Sequence, residues 1–528
     1  MDKNDDKERI RELAFACPEL HLSTEAGVLL SHGQDWTRFR EPAAAAIAFP
    51  DSIEQVQALV RFAEQNQLPL VPSGGRTGLS GGAVAAAGEV VVSFDRMRQV
   101  LEFDEIDRTV RVEAGVVTAT VQELAVQHGL YYPVSFASEG SSQVGGNIAT
   151  NAGGIRVLRY GLTRDRVAGL KVVTGRGELL DLNRGLVKNA SGYDLRHLFI
   201  ASEGTLGLIV EATLNLADPP SPGKVLLLGV DCMDSLMKVF AMLRSRLTLS
   251  AFEFFTDRAL HHVMTANGWS APLDQQCPLY VITEFDCPDE QSQSVALECF
   301  EDCVARGWLI DGVISQNDRQ MAELWRYREG ISESISHFPP YKNDLSVRVS
   351  KVPEFLHRME GLMNRICPDM EVVWYGHIGD GNLHMNILKP EDLDLEEFEA
   401  RSHEISEHTY RLTRELGGSI SAEHGIGLLK QPWLDMTLSG AEITLMQQLN
   451  KAQVQRRADD DSRLEAVIKS YELAWRMQTD APAILDLSQE TAATQQMYGI
   501  GTNETDAFGR QCLMARRLSE SGVRFVQI

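Results

Sequence analysis

Apolar residues recur at helical spacing through SIEQVQALVRFAEQNQLPLVP, residues 52–72, and the run then becomes continuously apolar. This predicts a helix leading into a strand, with Ser52 as its N-cap. SGGRTGLSGGAVAAAGEVVVSF, residues 73–94, reads as a glycine-rich loop followed by a strand. Further strands are predicted at TVRVEAGVV, GLKVVTG and IVEATLNL, with helical VQELAVQHGL among them. The alternation indicates a mixed α/β region to about Leu216, closed by the turn-rich ADPPSPGK from Ala217. A second α/β region follows, with strands at KVLLLGVD and LYVITEF and a helix at SLMKVFAMLRSRL, and it continues to SISAEHGIG. No internal repeat is visible.

A chain of 528 residues that is 44% hydrophobic is too long for one core, so two or three domains are expected. The pattern divides it into a helical segment (1–39), two α/β domains (40–218 and 219–448) and a tail of different character (449–528). With 74 acidic against 50 basic residues the formal charge is −24, which argues against nucleic acid or an anionic membrane as the main partner. A local pocket can still carry its own Arg and Lys for a small acid. No stretch approaches the length of a membrane span, and the charged N-terminus lacks an apolar signal core, so a cytoplasmic location is expected. The eight cysteines form no CxxC pair, which suits a reducing compartment. Cys299 and Cys303, four apart, are expected to share a helix face as packed thiols rather than a metal site.

Five glycines in SGGRTGLSGG (73–82) point to chemistry rather than packing, because glycine allows positive φ and close backbone approach. Such a loop can turn its N–H groups towards an anion, and pyrophosphate is the natural guest. It is not a GxGxxG between strand and helix, so a nicotinamide fingerprint fits poorly. SEGSSQVGGNIATNAGG (138–154) and ASEGTLGLIVEATL (201–214) add two more glycine-rich clusters, whose Ser, Thr and Asn can hold phosphate or ribose. Three such loops in one domain imply a multi-part ligand such as a dinucleotide.

The order PSGGRTGLSGG, VGGNIATNAGG, YG and KNASGYDLRHLFIASEGTLGLI resembles the FAD domain of the flavoprotein family typified by vanillyl-alcohol oxidase. The branch it resembles contains D-lactate, glycolate and D-2-hydroxyglutarate dehydrogenases, over about residues 40–448. The resemblance implies an α+β fold. Two α/β subdomains would form the FAD-binding domain, and a C-terminal α/β substrate (cap) domain would carry an antiparallel sheet. It also implies FAD contacts at Pro72, Gly74, Gly75, Arg76, Thr77, Gly78, Gly81 and Gly82 in the first cluster. In the second they are Ser138, Gly140, Ser141, Gly145, Gly146, Asn147, Thr150, Asn151, Gly153 and Gly154, followed by Gly161; in the third, Glu203, Gly204 and Ile209. Some relatives attach FAD through a His in the first loop. Here that loop has none, so non-covalent FAD is expected.

VVWYGHIGDGNLHMNIL (372–388) reads as a hairpin turning at Asp380–Gly381. A two-residue turn there would set His377 opposite His384 and Tyr375 opposite Asn386, close enough for the two imidazoles to share one metal ion. Glu423, in SISAEHGIG, is a third candidate ligand, and a His₂Glu set leaves a coordination position open. Glu423 and His424 would point apart in extended chain, one towards metal and the other towards substrate. The resemblance implies His377, His384 and Glu423 as metal ligands, Asn386 near the substrate and His424 as catalytic base and substrate contact. Zinc is the first choice of divalent metal, with Mn²⁺, Fe²⁺ and Co²⁺ open on ligand type.

Arg326 and Arg328 fall on a predicted helix, and Lys342 lies in PPYKNDLSV. The resemblance assigns Arg328, Ser332 and Lys342 to a substrate carboxylate, with Ser332 standing where Thr is usual. It implies metal-assisted oxidation of a D-2-hydroxy acid to the 2-oxo acid. D-2-hydroxyglutarate is the first choice of substrate, then D-lactate or glycolate. An electron-transfer flavoprotein or a quinone would accept the electrons, and a homodimer is an assembly left open. A metallohydrolase is the rival reading of the histidines, although a hydrolase does not need three glycine loops.

The family's usual closing segment of the type LDPxxILNPGK is absent. After EITLMQQLN the motifs SYELAWRMQTDAP, DLSQE, MYGIG and FGRQCLMARRL instead resemble a fragment of a secreted, sulfatase-like bacterial family of unknown function. A fused or misassembled reading frame is the reading of this tail, with a regulatory extension as the alternative. VRFVQI reads as an apolar, strand-like run, an aggregation hazard where such an edge is left unpaired. A flavin-binding remnant, inactive because of its altered C-terminus, is therefore the second rival to the enzyme.

Overall fold

The computed structural model describes residues 3–37, 40–454, 486–502 and 505–520. SYELAWRMQTDAP and VRFVQI lie outside the described residues. The chain divides into two compact units, 1–454 and 455–528.

In the first unit, the helix Ile53–Asn66 starts where Ser52 accepts a hydrogen bond from the Gln55 N–H, and it buries Val56, Leu59, Val60 and Ala63. It leads into Leu70–Ser73, which pairs in parallel with Val90–Ser93. That strand pairs in turn with Ala46–Phe49, and His21–Ser23 closes a four-stranded sheet. Residues 1–39 are therefore not only helical: they supply this edge strand, and Leu13 from Lys3–Ala16 is fully buried in the core. The five-stranded sheet is antiparallel, in the order Val100–Asp104, Thr109–Glu113, Gly207–Asn215, Val167–Thr174, Leu179–Leu182.

The second cluster, read above as a loop, contains a helix, Val144–Thr150. Glycine is a poor helix former, so tertiary packing must override propensity here. A Cβ on Gly145 would stand 2.7 Å from the Cβ of Ala114, so the glycine lets the helix press onto that backbone.

Beyond Leu216 the core is a seven-stranded antiparallel sheet. Its order is Asp311–Ile314, Gly223–Val230, Leu279–Asp286, Leu249–Thr256, Val372–Gly376, Asn382–Ile387, Tyr341–Ser346. Helices cover it; one is Glu290–Ala305, whose Cys299 and Cys303 are both fully buried free thiols. Burial pushes the Cys303 thiol up to about 11. The described part of the second unit contains the helices Ala492–Met497 and Asp506–Glu520, with an Arg517–Glu490 ion pair of 2.8 Å. Among the described residues no helix is long and apolar enough to cross a membrane.

Candidate active site

The first site is a cleft walled by the three glycine clusters. Pro72, Gly74, Gly75, Arg76, Thr77, Gly78 and Gly82 line it from the first. Gly145, Gly146, Asn147 and Thr150 line it from the helix, and Glu203, Gly204 and Ile209 from the third. No backbone N–H from Gly75 to Ser80 finds an acceptor among the described residues. Ser73 Oγ and Gln143 Oε1, also in the wall, are buried without a partner among the described residues. A Cβ on Gly146 would meet nothing within 4 Å, so the lack of a side chain keeps that space open. Open donors, orphaned polar atoms and a floor without side chains fit a phosphate-bearing dinucleotide such as FAD. No His, Cys or Tyr is among the residues lining the cleft.

The other candidate cofactor residues stand outside this lining. Gly81 donates its N–H to Asp35, and Asn151 accepts from the Arg164 N–H. Ser138 and Ser141 share a turn beside the exposed Gly140. Gly154 leaves room for the Ser135 carbonyl and Gly161 for the Asp165 carboxylate. Gly153 packs against Glu423, whose Oε2 would lie 2.9 Å from a Cβ there.

The sequence reading missed Asp35 and Asp95. Asp35 is 3% exposed, lines the cleft and holds the Gly81 N–H at 2.8 Å. Asp95 gathers His32, Arg76, Arg98 and Gln143. Burial alone would raise its carboxyl, but the hydrogen bond from His32, the Arg76 charge and the bonds from Arg98 and Gln143 hold it below the usual carboxylate range.

The second site is built on the hairpin. Its register differs from the expected one: Tyr375 stands opposite His384, and Val373 opposite Asn386. The His377 carbonyl accepts the N–H groups of Asp380, Gly381 and Asn382, at 3.1, 3.1 and 3.2 Å. The chain therefore closes on a wider loop, Ile378 to Gly381, with Asp-Gly at its end rather than its centre. The imidazoles still meet, with the His377 and His384 ring centroids 5.3 Å apart.

One atom organises the centre. Glu423 Oε1 lies 3.9 Å from His377 Nε2, 3.8 Å from His384 Nε2 and 3.7 Å from His424 Nε2. Glu423 and His424 thus converge instead of pointing apart, because their segment is not extended. These distances are too long for hydrogen bonds. They are near the spacing of about 3.4 Å between ligand atoms around one tetrahedral ion with bonds of roughly 2.0–2.1 Å. The donor set fits a divalent cation.

Asp344, absent from the sequence-derived candidates, is fully buried beside them. Asp344, His384, Glu423 and His424 offer ligand atoms all within 4.8 Å of one another, while His377 joins through its distance to Glu423. Strand alternation carried a signal for it: Asp344 lies two residues after Lys342, and the pair stand opposite His384 and Asn386. Burial alone would raise the Asp344 carboxyl, but the charges of His424, Lys430 and His384 and the Glu423 N–H hold it well below the usual range. Burial disfavours a charged His377, yet Glu253 outweighs it and pushes the imidazole up to about 9. His384 goes the other way, lowered by burial and then by His377.

Arg328, on the helix Asp318–Glu329, is buried and pairs with Glu253 at 2.8 Å. Its guanidinium carbon lies 4.8 Å from the centroid of the Tyr375 ring. Lys342 donates to Ser332 Oγ at 3.2 Å. Among the described residues, Arg328 Nε and Asn386 Nδ2 are buried donors without a hydrogen-bond acceptor. Arg326, two residues along the helix, is exposed and lies over Trp269 instead.

Residues 44–183 match the FAD binding domain family, and residues 219–452 match the C-terminal domain of FAD linked oxidases. Residues 418–528 match a protein family of unknown function (DUF1501), in line with the foreign character of the tail. The chain is 55% identical over 438 residues to a D-2-hydroxyglutarate dehydrogenase of Xanthomonas citri pv. viticola, covering 83% of this chain and 93% of that one. It is 54% identical over 423 residues to a D-2-hydroxyglutarate dehydrogenase of Stutzerimonas stutzeri, covering 80% and 91%. Among solved structures, p-cresol methylhydroxylase superposes with a TM-score of 0.67 at 13% identity, over 84% of this chain and 94% of that one, which speaks for the fold alone. With its α+β architecture of the vanillyl-alcohol-oxidase type, glycine-walled cleft and these relatives, the chain belongs to the FAD-linked oxidases, in the family that holds the D-2-hydroxyglutarate dehydrogenases.

Proposed function

We propose that this chain oxidises D-2-hydroxyglutarate to the 2-oxo acid, with D-lactate and glycolate as poorer substrates. The observation that carries the reading is the meeting of Glu423 Oε1 with three imidazole Nε2 atoms at 3.7–3.9 Å, close to the buried Arg328. Residues 40–218 form the flavin domain and 219–448 the substrate domain. FAD supplies the hydride acceptor when bound in the cleft, without a covalent bond, and a divalent cation, zinc first, supplies Lewis acidity at His377, His384 and Glu423.

The chain's own residues do the rest. Arg328 Nε and Asn386 Nδ2 are open donors suited to a carboxylate, and Lys342 adds a point charge steadied by Ser332. His424 takes the hydroxyl proton on Nε2, and its Nδ1 faces Asp344 at 3.8 Å. Gly153, packed on Glu423, brings the second glycine cluster up against the ligand set. The electrons then leave to an electron-transfer flavoprotein or a quinone, and the enzyme works in the cytoplasm.

The test is anaerobic flavin reduction. Full-length protein loaded with FAD and Zn²⁺ is mixed with D-2-hydroxyglutarate, D-lactate or glycolate, and the visible flavin band is followed. Bleaching is expected fastest with D-2-hydroxyglutarate. An unchanged band with all three overturns the reading and leaves a flavin-binding remnant.

A further inference from the structure

The segment carrying Glu423 and His424 belongs to no helix or strand, yet it places two groups of the site. Something else must hold it. Ala422, Glu423 and His424 donate their backbone N–H groups to a single oxygen, Oδ2 of Asp344, at 3.0, 2.9 and 2.9 Å. Ile426 and Gly427 donate theirs to Oε1 and Oε2 of Glu203, at 2.7 and 2.8 Å. Between the two sets Gly425 has a φ of +85°, and a Cβ there would stand 3.1 Å from the Glu203 carboxylate. The Leu429 N–H then bonds the Ser80 carbonyl at 3.1 Å, in the first glycine loop.

We propose that Glu203 and Asp344 form a double carboxylate clamp that positions Glu423 and His424, and that Glu203 thereby couples the flavin-binding loops to the metal ligands. Glu203 lines the flavin cleft, but both of its oxygens already accept hydrogen bonds from the catalytic segment. Its own backbone is held left-handed, at φ 50°, by a bond from its N–H to the Ala149 carbonyl. Such a conformation in a bulky residue needs a surrounding structure that fixes it. Asp344 works from the other domain: Oδ1 accepts from Asn382 at 2.7 Å, and Nδ1 of His384 and of His424 lie 3.6 and 3.8 Å from the carboxylate. It is a positioning residue, because backbone N–H groups occupy the oxygen that would otherwise be free to bind a cation.

The inference rests on the proposed function for the cation at His377, His384 and Glu423 and for the rate measurement. Full-length protein loaded with FAD is compared with Glu203→Ala, Glu203→Gln and Asp344→Asn. Zn²⁺ affinity is read by competition with a chromogenic chelator, flavin retention by absorbance after gel filtration, and flavin reduction by D-2-hydroxyglutarate at a series of concentrations. Glu203→Ala is expected to keep its FAD and to lose about 10–100-fold in Zn²⁺ affinity, although it removes no ligand. The saturating reduction rate falls with it, while the half-saturating substrate concentration stays within about twofold. Asp344→Asn follows, since its amide sets a donor against Asn382 or against the backbone N–H groups. The double variant loses less than the product of the single losses, because both residues hold one segment. Should Glu203→Ala not fold, Glu203→Gln keeps one acceptor of two and is expected to show a smaller loss in Zn²⁺ affinity. Unchanged Zn²⁺ affinity in the folded Glu203 variant, with FAD lost, makes Glu203 a flavin contact only and overturns the clamp. If the unaltered protein is not reduced by the hydroxy acid, the substrate reading falls while the Zn²⁺ comparison still decides the clamp.

Discussion

Arg328 and His377 share one buried counter-ion: Glu253 meets the Arg328 guanidinium through Oε2 and His377 Nδ1 through Oε1, each at 2.8 Å. Glu253 is 1% exposed, so the ion pair stands in a poorly solvated place. Replacing it by Ala leaves a buried guanidinium without compensation, which costs about 3–5 kcal/mol. Glu253→Gln keeps a hydrogen-bond partner for His377 and loses less. Urea unfolding of the two variants checks both the size and the order; a loss below about 1 kcal/mol in Glu253→Ala contradicts the pairing.

His384→Ala removes an imidazole from around Glu423 Oε1 and touches no part of the flavin cleft. Bound zinc should fall well below one per chain while the flavin spectrum stays. Turnover drops on the order of 1,000-fold, the worth of several kcal/mol of charge stabilisation. Dialysis against a chelator does the same to the unaltered protein, reversibly on adding Zn²⁺. Full turnover in His384→Ala rules out the metal set.

Two glycines separate packing from cofactor space. In Gly75→Ala the new methyl meets the Ser141 carbonyl oxygen at 2.1 Å, so the apo protein loses about 1–3 kcal/mol or fails to fold. In Gly146→Ala it meets no described atom within 4 Å beyond its chain neighbours and its own helix backbone, and it sits in the helix Val144–Thr150. The apo protein therefore gains about 0.5–1 kcal/mol, while FAD affinity falls about tenfold or more. Thermal melts without cofactor and FAD titration check the two halves separately.

The Asp95 carboxyl sits below its usual range in the folded protein because His32, Arg76, Arg98 and Gln143 outweigh its burial. A depressed folded pKa contributes stability that is complete above the unfolded value of about 3.9 and fades as pH falls through the folded one. The stability advantage over Asp95→Asn should thus be flat from pH 7 to about 4.5 and shrink only in more acid solution. Urea midpoints at pH 7, 4.5 and 3.5 measure it; an advantage already falling between pH 7 and 5 contradicts the assignment.

The helix Ile53–Asn66 was legible because its cap and periodicity are local. So were the glycine clusters, whose composition states a need for close backbone approach. The hairpin register was not, since the His377 carbonyl gathers three N–H groups and widens the turn. The helix Val144–Thr150 defied its composition because Ala114 supplies the packing. Asp344 was half legible through its alternation with Lys342. Glu253 and Asp35 were silent, because their partners lie 124 and 46 residues away in sequence.

The hydrogen bonds that hold the catalytic segment span 78 to 80 residues on one side and 223 to 224 on the other. That separation has a meaning in time. Contacts between distant parts of a chain form late, after the local elements they join. During synthesis, flavin loops and sheet can be complete while the base has no fixed address. The glycine clusters of the cleft and both anchoring carboxylates, Glu203 and Asp344, are made before the segment 422–429 that they hold, so the base is among the last parts of the site to enter the chain.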